Sequence, residues 1–402
     1  MVAYHQFVEL SQSADSEERG QAAHMAARAY LAHSGPADEA AALYAALIGF
    51  LDDPSVKVRA ALAYALLHAV EAPRPILLAL LQDAGVIARA VLQYSPALLD
   101  ADLIMAIRGG DLTTLLAVTE REQLSLRVAE ALVARSEPKV TLRVLARTDV
   151  ALSAATLRHL VETQGDDAAM RGALLARQDL DPALRLVLVE AVGRALRGLR
   201  IVKGAVAAPR LERLLRNATD TALSAIGERE AGLARRDYAA KLVGAERVNT
   251  RVMLHAIING HVLFFADCVA ELSEVPREKV FSLLENGSRP ALNALLARCG
   301  LSPAVRNLVA RLVFHARSAD LADDVTARHF VVTALTEELI IEHGGVIPPE
   351  LEEAFSYLSE QNVLLARRAA RGVMPAFGGE SLMRLPAPPE QSAPEPIALP
   401  AA

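Results

Sequence analysis

One short segment recurs along the chain and limits its fold more than any other feature. Val144-Leu145-Ala146-Arg147-Thr148-Asp149-Val150 returns as Leu174-Leu175-Ala176-Arg177-Gln178-Asp179-Leu180 and again as Leu295-Leu296-Ala297-Arg298-Cys299-Gly300-Leu301. A degenerate copy is Leu115-Leu116-Ala117-Val118. Ala117 and Ala146 are 29 positions apart, Ala146 and Ala176 are 30, and Ala176 and Ala297 are 121, close to four periods of 30. A period of about thirty residues is the length of one supersecondary unit that cannot bury its apolar face alone and must stack on its neighbours.

The content of each unit predicts two short helices joined by a tight turn. Breaks occur at Asp53-Pro54, Ser95-Pro96, Glu137-Pro138, Asp181-Pro182 and Ser302-Pro303. There an Asp or Ser oxygen can accept from a free helix N–H, and Pro can sit in the first turn without wasting a donor. After Pro182, Leu184, Leu188, Ala191 and Ala195 repeat at helical spacing, with Glu190, Gly193 and Arg197 off that stripe. Composition agrees: 52% of residues are hydrophobic, yet aromatics make up 4% and Trp is absent. Such a core is aliphatic and helical, built from Ala, Leu and Val that let helices approach closely.

A length of 402 residues admits two to three domains or one elongated array, and the repeat favours the array. The expected map is a helical N-terminal cap over 1–34, repeats over 35–198, continued helical repeats with a basic stretch over 199–316, a C-terminal helical cap over 317–373 and a Pro/Ala-rich tail over 374–402. The C-terminal cap should be interrupted near Gly344-Gly345 and Pro348-Pro349. The tail is expected to be disordered, because it lacks the apolar mass to offset its ordering entropy.

Asp52-Asp53-Pro54-Ser55-Val56-Lys57-Val58-Arg59, followed by Leu62, Ala65 and Leu66, resembles the HEAT repeat. In that family an Asp-Pro opens the second helix, and a Val-Arg pair sets a core residue beside a charge on the groove side. The stretch from about Val86 to Arg317, with Ala90-Val91-Leu92-Gln93-Tyr94-Ser95-Pro96 near its start and Leu263-Phe264-Phe265 and Val275-Pro276-Arg277 later, resembles a bacterial family of HEAT-like proteins known as a domain of unknown function. The resemblance implies an all-α fold, an α-solenoid of HEAT-like helix pairs in an elongated right-handed superhelical array. It brings no catalytic motif.

Charge and cysteine usage narrow the partners. Net charge is −6, so the chain as a whole lacks the positive field a general nucleic-acid binder uses against phosphates. HEAT-like DNA-repair glycosylases are basic, whereas this chain is acidic and has no Trp for base stacking. Nucleic acid is therefore disfavoured. Cys268 and Cys299 form no C-x-x-C or His/Cys cluster, which suits a reducing compartment. The longest uncharged internal stretch, Val252 to Ala266, is too short and polar for the ~20 residues that span a bilayer. With no basic n-region near Met1, a cytoplasmic protein without a membrane partner is expected.

The most distinctive charge feature is the stretch holding Arg194, Arg197, Arg200, Lys203, Arg210, Arg213 and Arg216, with Glu212 as its one acid. The spacing by three predicts two triplets, each along one helix side, with Gly204 and Pro209 in a loop between them. These groups could hold a phosphate or carboxylate by bidentate contacts, or form a solvated face balanced by acidic neighbours. His255 and His261 do not share a helix face, and Glu338, Glu342 and His343 lack a further close ligand, with His329 nine residues before Glu338; no metal site is expected. Arg108-Gly109-Gly110-Asp111 resembles a fragment of a cyclase signature but reads as an inter-helix turn. Cys299 occupies the repeat position held by Thr148 and Gln178, a tolerated substitution.

No nucleophile elbow, phosphate loop or dinucleotide fingerprint occurs. The expected function is a non-enzymatic protein–protein interaction scaffold or regulatory adaptor whose partner is another protein, with no cofactor. The alternative is a sensor or effector that binds a phosphorylated or nucleotide-like anionic ligand through the Arg194–Arg216 cluster.

Overall fold

A computed structural model describes residues 9–381. Among the described residues the chain is all-helical, with no strand. Contacts divide it into two units, Met1–Leu196 and Arg197–Ala402.

After helical residues at 9–11, the first unit runs through α1 (Ser16–Ala32), α2 (Ala37–Leu51), α3 (Val56–Leu66), α4 (Arg74–Leu80), α5 (Gly85–Tyr94), α6 (Asp100–Gly109), α7 (Leu112–Thr119), α8 (Leu126–Ala134), α9 (Pro138–Ala146), α10 (Ala154–Gln164) and α11 (Ala168–Ala176) to α12 (Pro182–Gly198), which reaches the unit boundary. Helices pack on their sequence neighbours and on the next but one, so α1, α3, α5, α7, α9 and α11 form one continuous layer. Between this layer and the even-numbered helices runs one apolar cluster, from Ala22 to Leu188. It is built from Ala, Leu, Val, Ile and Met170, with Phe50 as its one buried aromatic side chain. Small residues set the closest approach: Ala22, Ala23, Ala26 and Ala27 of α1 are buried, and a Cβ on Gly20 would lie 3.6 Å from that of Ala61.

Arginines at the repeat spacing link successive units. Arg177 donates to the carbonyls of Leu145 (3.3 Å), Arg147 (3.2 Å) and Val150 (2.8 Å), one repeat earlier. Arg147 reaches back to Thr119 (2.9 Å), Arg121 and Glu122 (2.9 Å), and Arg121 to Leu92 and Ser95 (2.8 Å). The last carbonyls of a helix have no intrahelical donor and carry partial negative charge, so a guanidinium there satisfies and stabilises them. Near the N-terminus carboxylates do the linking: Arg19 pairs with Asp53, Arg59 with Asp83 and Arg74 with Asp102.

The punctuation behaves as expected in part. Pro138, Pro182 and Pro303 open α9, α12 and a later helix. Asp53 instead accepts from the Ser55 N–H, and α3 begins at Val56. Ser95 is the C-cap of α5, and the following helix waits until Asp100. The third Leu-Ala-Arg copy is shifted by one position. Arg147 and Arg177 are helix C-caps, whereas Arg298 is the last helical residue and Cys299 the cap. The Cys299 thiol contacts the Val269 carbonyl thirty residues back, the role of the arginines, rather than that of Thr148 and Gln178.

The second unit holds the end of α12, then α13 (Arg200–Ala205), α14 (Ala208–Gly232), α15 (Asp237–Gly244), α16 (Thr250–Ile258), α17 (Val262–Ser273), α18 (Arg277–Asn286), α19 (Arg289–Arg298), α20 (Pro303–Ser318), α21 (Val325–Glu342) and α22 (Pro349–Ser381). The α14 helix packs on α16 and α17, and α22 on α16, α20 and α21. Here aromatics enter the core, with Phe264, Phe265 and Tyr357 fully buried. Gly344 (φ +60°) and Gly345 (φ +85°) make the turn between α21 and α22 in the left-handed region that glycine tolerates. The α22 helix runs past the expected boundary at 374 to Ser381. The rest of the expected tail, 382–402, and residues 1–8 of the expected N-terminal cap lie outside the described residues.

Candidate functional site

Three constellations carry polar or aromatic groups beyond the repeat core. The first lies on the odd-numbered layer of the first unit. His24 of α1 stacks on Tyr64 of α3 (centroids 6.1 Å), and His68, just after α3, meets Tyr94 of α5 edge-on (5.6 Å). Tyr64 and Tyr94 are 30 residues apart, one repeat. Both are exposed, at 70% and 48%, although aromatics are scarce in this chain. The row continues with Arg89 against Thr113 (3.5 Å) between α5 and α7, and Arg143 with Glu120 (2.6 Å) between α9 and the turn after α7.

The second is the basic stretch, which the structure spreads over three helices. Arg194 and Arg197 lie on α12, Arg200 and Lys203 on α13, and Arg210, Arg213 and Arg216 on α14. The first expected triplet is thus broken, because Leu199 is extended (φ −73°, ψ 126°) between α12 and α13. Gly204 and Pro209 are helical, and the loop shrinks to Val206-Ala207. Arg194 pairs with Asp166 at 3.2 Å, and Arg197 with Glu212 at 2.8 Å. Arg200, Lys203, Arg210 and Arg213 are exposed. None of these four side chains makes a hydrogen bond or ion pair among the described residues.

The third constellation is a buried polar network in the second unit. Arg251 of α16, 5% exposed in its side chain, donates to Asp220 (2.6 Å) and Asn217 of α14 and to Glu360 of α22 (3.2 Å). Its guanidinium also lies over the Tyr357 ring, 4.8 Å from the centroid. Burial pushes the Asp220 carboxyl up against the opposing pull of Arg251, and Arg251 itself is held above its ordinary value by Asp220 and Glu360 despite desolvation. Tyr357 bonds His255 Nδ1 at 2.9 Å, and Thr221 lies 3.2 Å from Nε2. Thr221 already donates to the Asn217 carbonyl, so neutral His255 takes the Nε2–H tautomer, accepting from Tyr357 and donating to Thr221. Desolvation, with the nearby His261, Arg251 and Arg368, pulls His255 down to about 3. The network saturates itself and clamps α22 onto α14 and α16.

The remaining sequence candidates are placed as follows. His261 precedes α17, with Nδ1 2.9 Å from the Ser224 hydroxyl, so each histidine is engaged within the fold. Glu338 and Glu342 face Arg311 (3.7 and 2.5 Å). Among the described residues no group of His, Cys, Asp and Glu could hold a metal ion. Gly109 ends α6 and Gly110 caps it, the turn expected there. Sequence reasoning missed Tyr64, Tyr94, Arg251, Asp220, Glu360 and Tyr357. The thirty-residue separation of the two tyrosines was a usable signal; the network's members are up to 144 positions apart, as Asn217 and Gln361 are, and gave none.

Residues 87–340, more than half of the chain, match the model of a family described as an uncharacterised protein conserved in bacteria, DUF2336. No curated protein and no solved structure matches the chain. No helix among the described residues is long and apolar enough to cross a membrane.

Proposed function

Since the chain belongs to this uncharacterised bacterial family, DUF2336, a premise that carries no chemistry of its own, we propose that it acts as a non-enzymatic, cytoplasmic interaction scaffold. In this reading the helix pairs are HEAT-like, form an α-solenoid with a right-handed superhelical turn, and offer the odd-numbered layer of the first unit to a protein partner. The observation that carries it is the row of half-buried His24 with exposed Tyr64, His68 and Tyr94, paired across α1, α3 and α5. Two exposed tyrosines one repeat apart add nothing to the apolar core. Tyr is enriched at interface positions that dominate binding energy, because it brings a large rigid ring and a polar tip. Next-but-one packing and the inter-repeat arginines support the stacked-pair geometry.

A photoreactive side chain at Tyr64, compared with one at exposed Met105 of α6, tests the reading in the native bacterium. A discrete crosslinked partner is expected from the Tyr64 position only, and Tyr94→Ala should reduce its yield. Equal or absent crosslinking from the two positions refutes the proposal.

A second reading is a sensor that takes a phosphorylated or nucleotide-like anion. It is favoured by the four exposed cations, Arg200, Lys203, Arg210 and Arg213, that lack an acidic partner. It predicts a thermal shift with such a ligand, lost in the Arg210→Ala, Arg213→Ala double variant.

A further inference from the structure

We infer that the segment from Leu199 to Leu214 docks this protein onto an anionic membrane surface. The inference shares its cations with the sensor reading and differs in what meets them. The α13 helix buries none of its residues. Short helices in water owe their persistence to tertiary packing of an apolar face, yet Ile201 is 79% exposed, and Leu199 before α13 and Leu214 of α14 are 49% and 43% exposed. Burial in the fold gives little reason for an aliphatic side chain at Ile201, and covers only about half of Leu199 and Leu214. Interleaved with them are Arg200, Lys203, Arg210 and Arg213, all exposed and unpaired.

A free phosphate ligand would use the cations and leave the aliphatic groups in water. An acidic lipid surface uses both. Aliphatic side chains enter the boundary between headgroups and acyl chains, while guanidinium and ammonium groups stay at the phosphates on flexible stems. Charge complementarity makes the contact local and oriented: the chain carries −6 overall, so its other faces are repelled by the surface that attracts this segment.

Sedimentation of the full chain with vesicles tests the inference. Vesicles mixing phosphatidylglycerol with phosphatidylcholine should bind it, and phosphatidylcholine alone should not. Each of Arg200→Gln, Lys203→Gln, Arg210→Gln and Arg213→Gln should lower partition about fivefold. Ile201→Ser, which keeps every cation, should lower it about tenfold. Thermal melts should not change, since these side chains are exposed. Inorganic phosphate at constant ionic strength should neither displace the protein nor shift its melting. A silent Ile201→Ser, equal binding to both vesicle types, or capture of polyglutamate in place of vesicles overturns the inference. No vesicle binding together with a phosphate-induced thermal shift also overturns it but leaves the sensor reading standing. If neither vesicles nor phosphate bind, both readings fail.

Discussion

Arg177→Ala and Arg298→Ala remove the same residue from two copies of one motif and should have very different consequences. The Arg177 side chain is 6% exposed and supplies three hydrogen bonds to carbonyls of the preceding repeat. It also pairs with Asp179 at 2.5 Å, although that carboxylate is 40% exposed and solvent screening leaves the pair worth little. The loss therefore comes mainly from the carbonyls, two of them in the buried interior. Hydrogen bonds to charged donors contribute about 1.5–3 kcal/mol each and are not additive, so about 3–5 kcal/mol is expected. Arg298 is exposed and makes no such bond; its removal should stay within about 0.5 kcal/mol. Urea unfolding, followed on the transition of the first unit, reads this difference as a midpoint shift of about 1–2 M for Arg177→Ala, using an m-value of about 2–3 kcal/mol/M. Similar midpoints for the two variants would refute the view that the repeated arginine joins successive units.

The histidine network imposes a pH dependence on the second unit. Because His255 titrates at about 3 when folded and near 6.5 when unfolded, the unfolded chain binds the extra proton in that window. Stability should fall as pH drops from about 6.5 towards about 3, at up to ~1.4 kcal/mol per pH unit; urea midpoints for the chain and for His255→Gln should diverge in slope, and parallel profiles would exclude the mechanism. Gly227→Ala ought to destabilise despite the better helix former, because a Cβ there would lie 2.1 Å from the fully buried Phe264 ring. The clash should outweigh the ~1 kcal/mol propensity gain, so a raised melting temperature would contradict it. Burial pushes the Cys299 thiol up to about 11 and Cys268 higher still, so neither should alkylate in the native protein at neutral pH; rapid maleimide labelling before unfolding would contradict this.

Legibility along the chain follows the range of the interactions concerned. Helix pairs at a thirty-residue period were readable because apolar spacing is local: of the stripe expected after Pro182, Leu188 and Ala191 are buried and Leu184 half-buried, whereas Ala195, near the end of α12, is exposed. Cap positions were less so. Whether Ser95 ends α5 or begins the next helix depends on Arg121, which binds the Ser95 carbonyl from 26 positions downstream. The shifted third copy of the motif has the same origin, since the cap is the residue that meets the previous repeat.

The sequence alone determined that this chain is helical, aliphatic and repetitive, because periodicity and composition act within a few turns. It also marked the one basic stretch. Only the tertiary structure decided what those residues do. It divided the seven cations among three helices, paired Arg194 and Arg197 with acids, and left four others exposed beside unburied Leu199 and Ile201. It brought Tyr64 to His24 and Tyr94 to His68, and gathered Asp220, Glu360 and Tyr357 around Arg251, with His255 bonded to Tyr357. Burial and pairing are properties of neighbours distant in sequence, and the free energy of a charged or aromatic side chain is set by those neighbours.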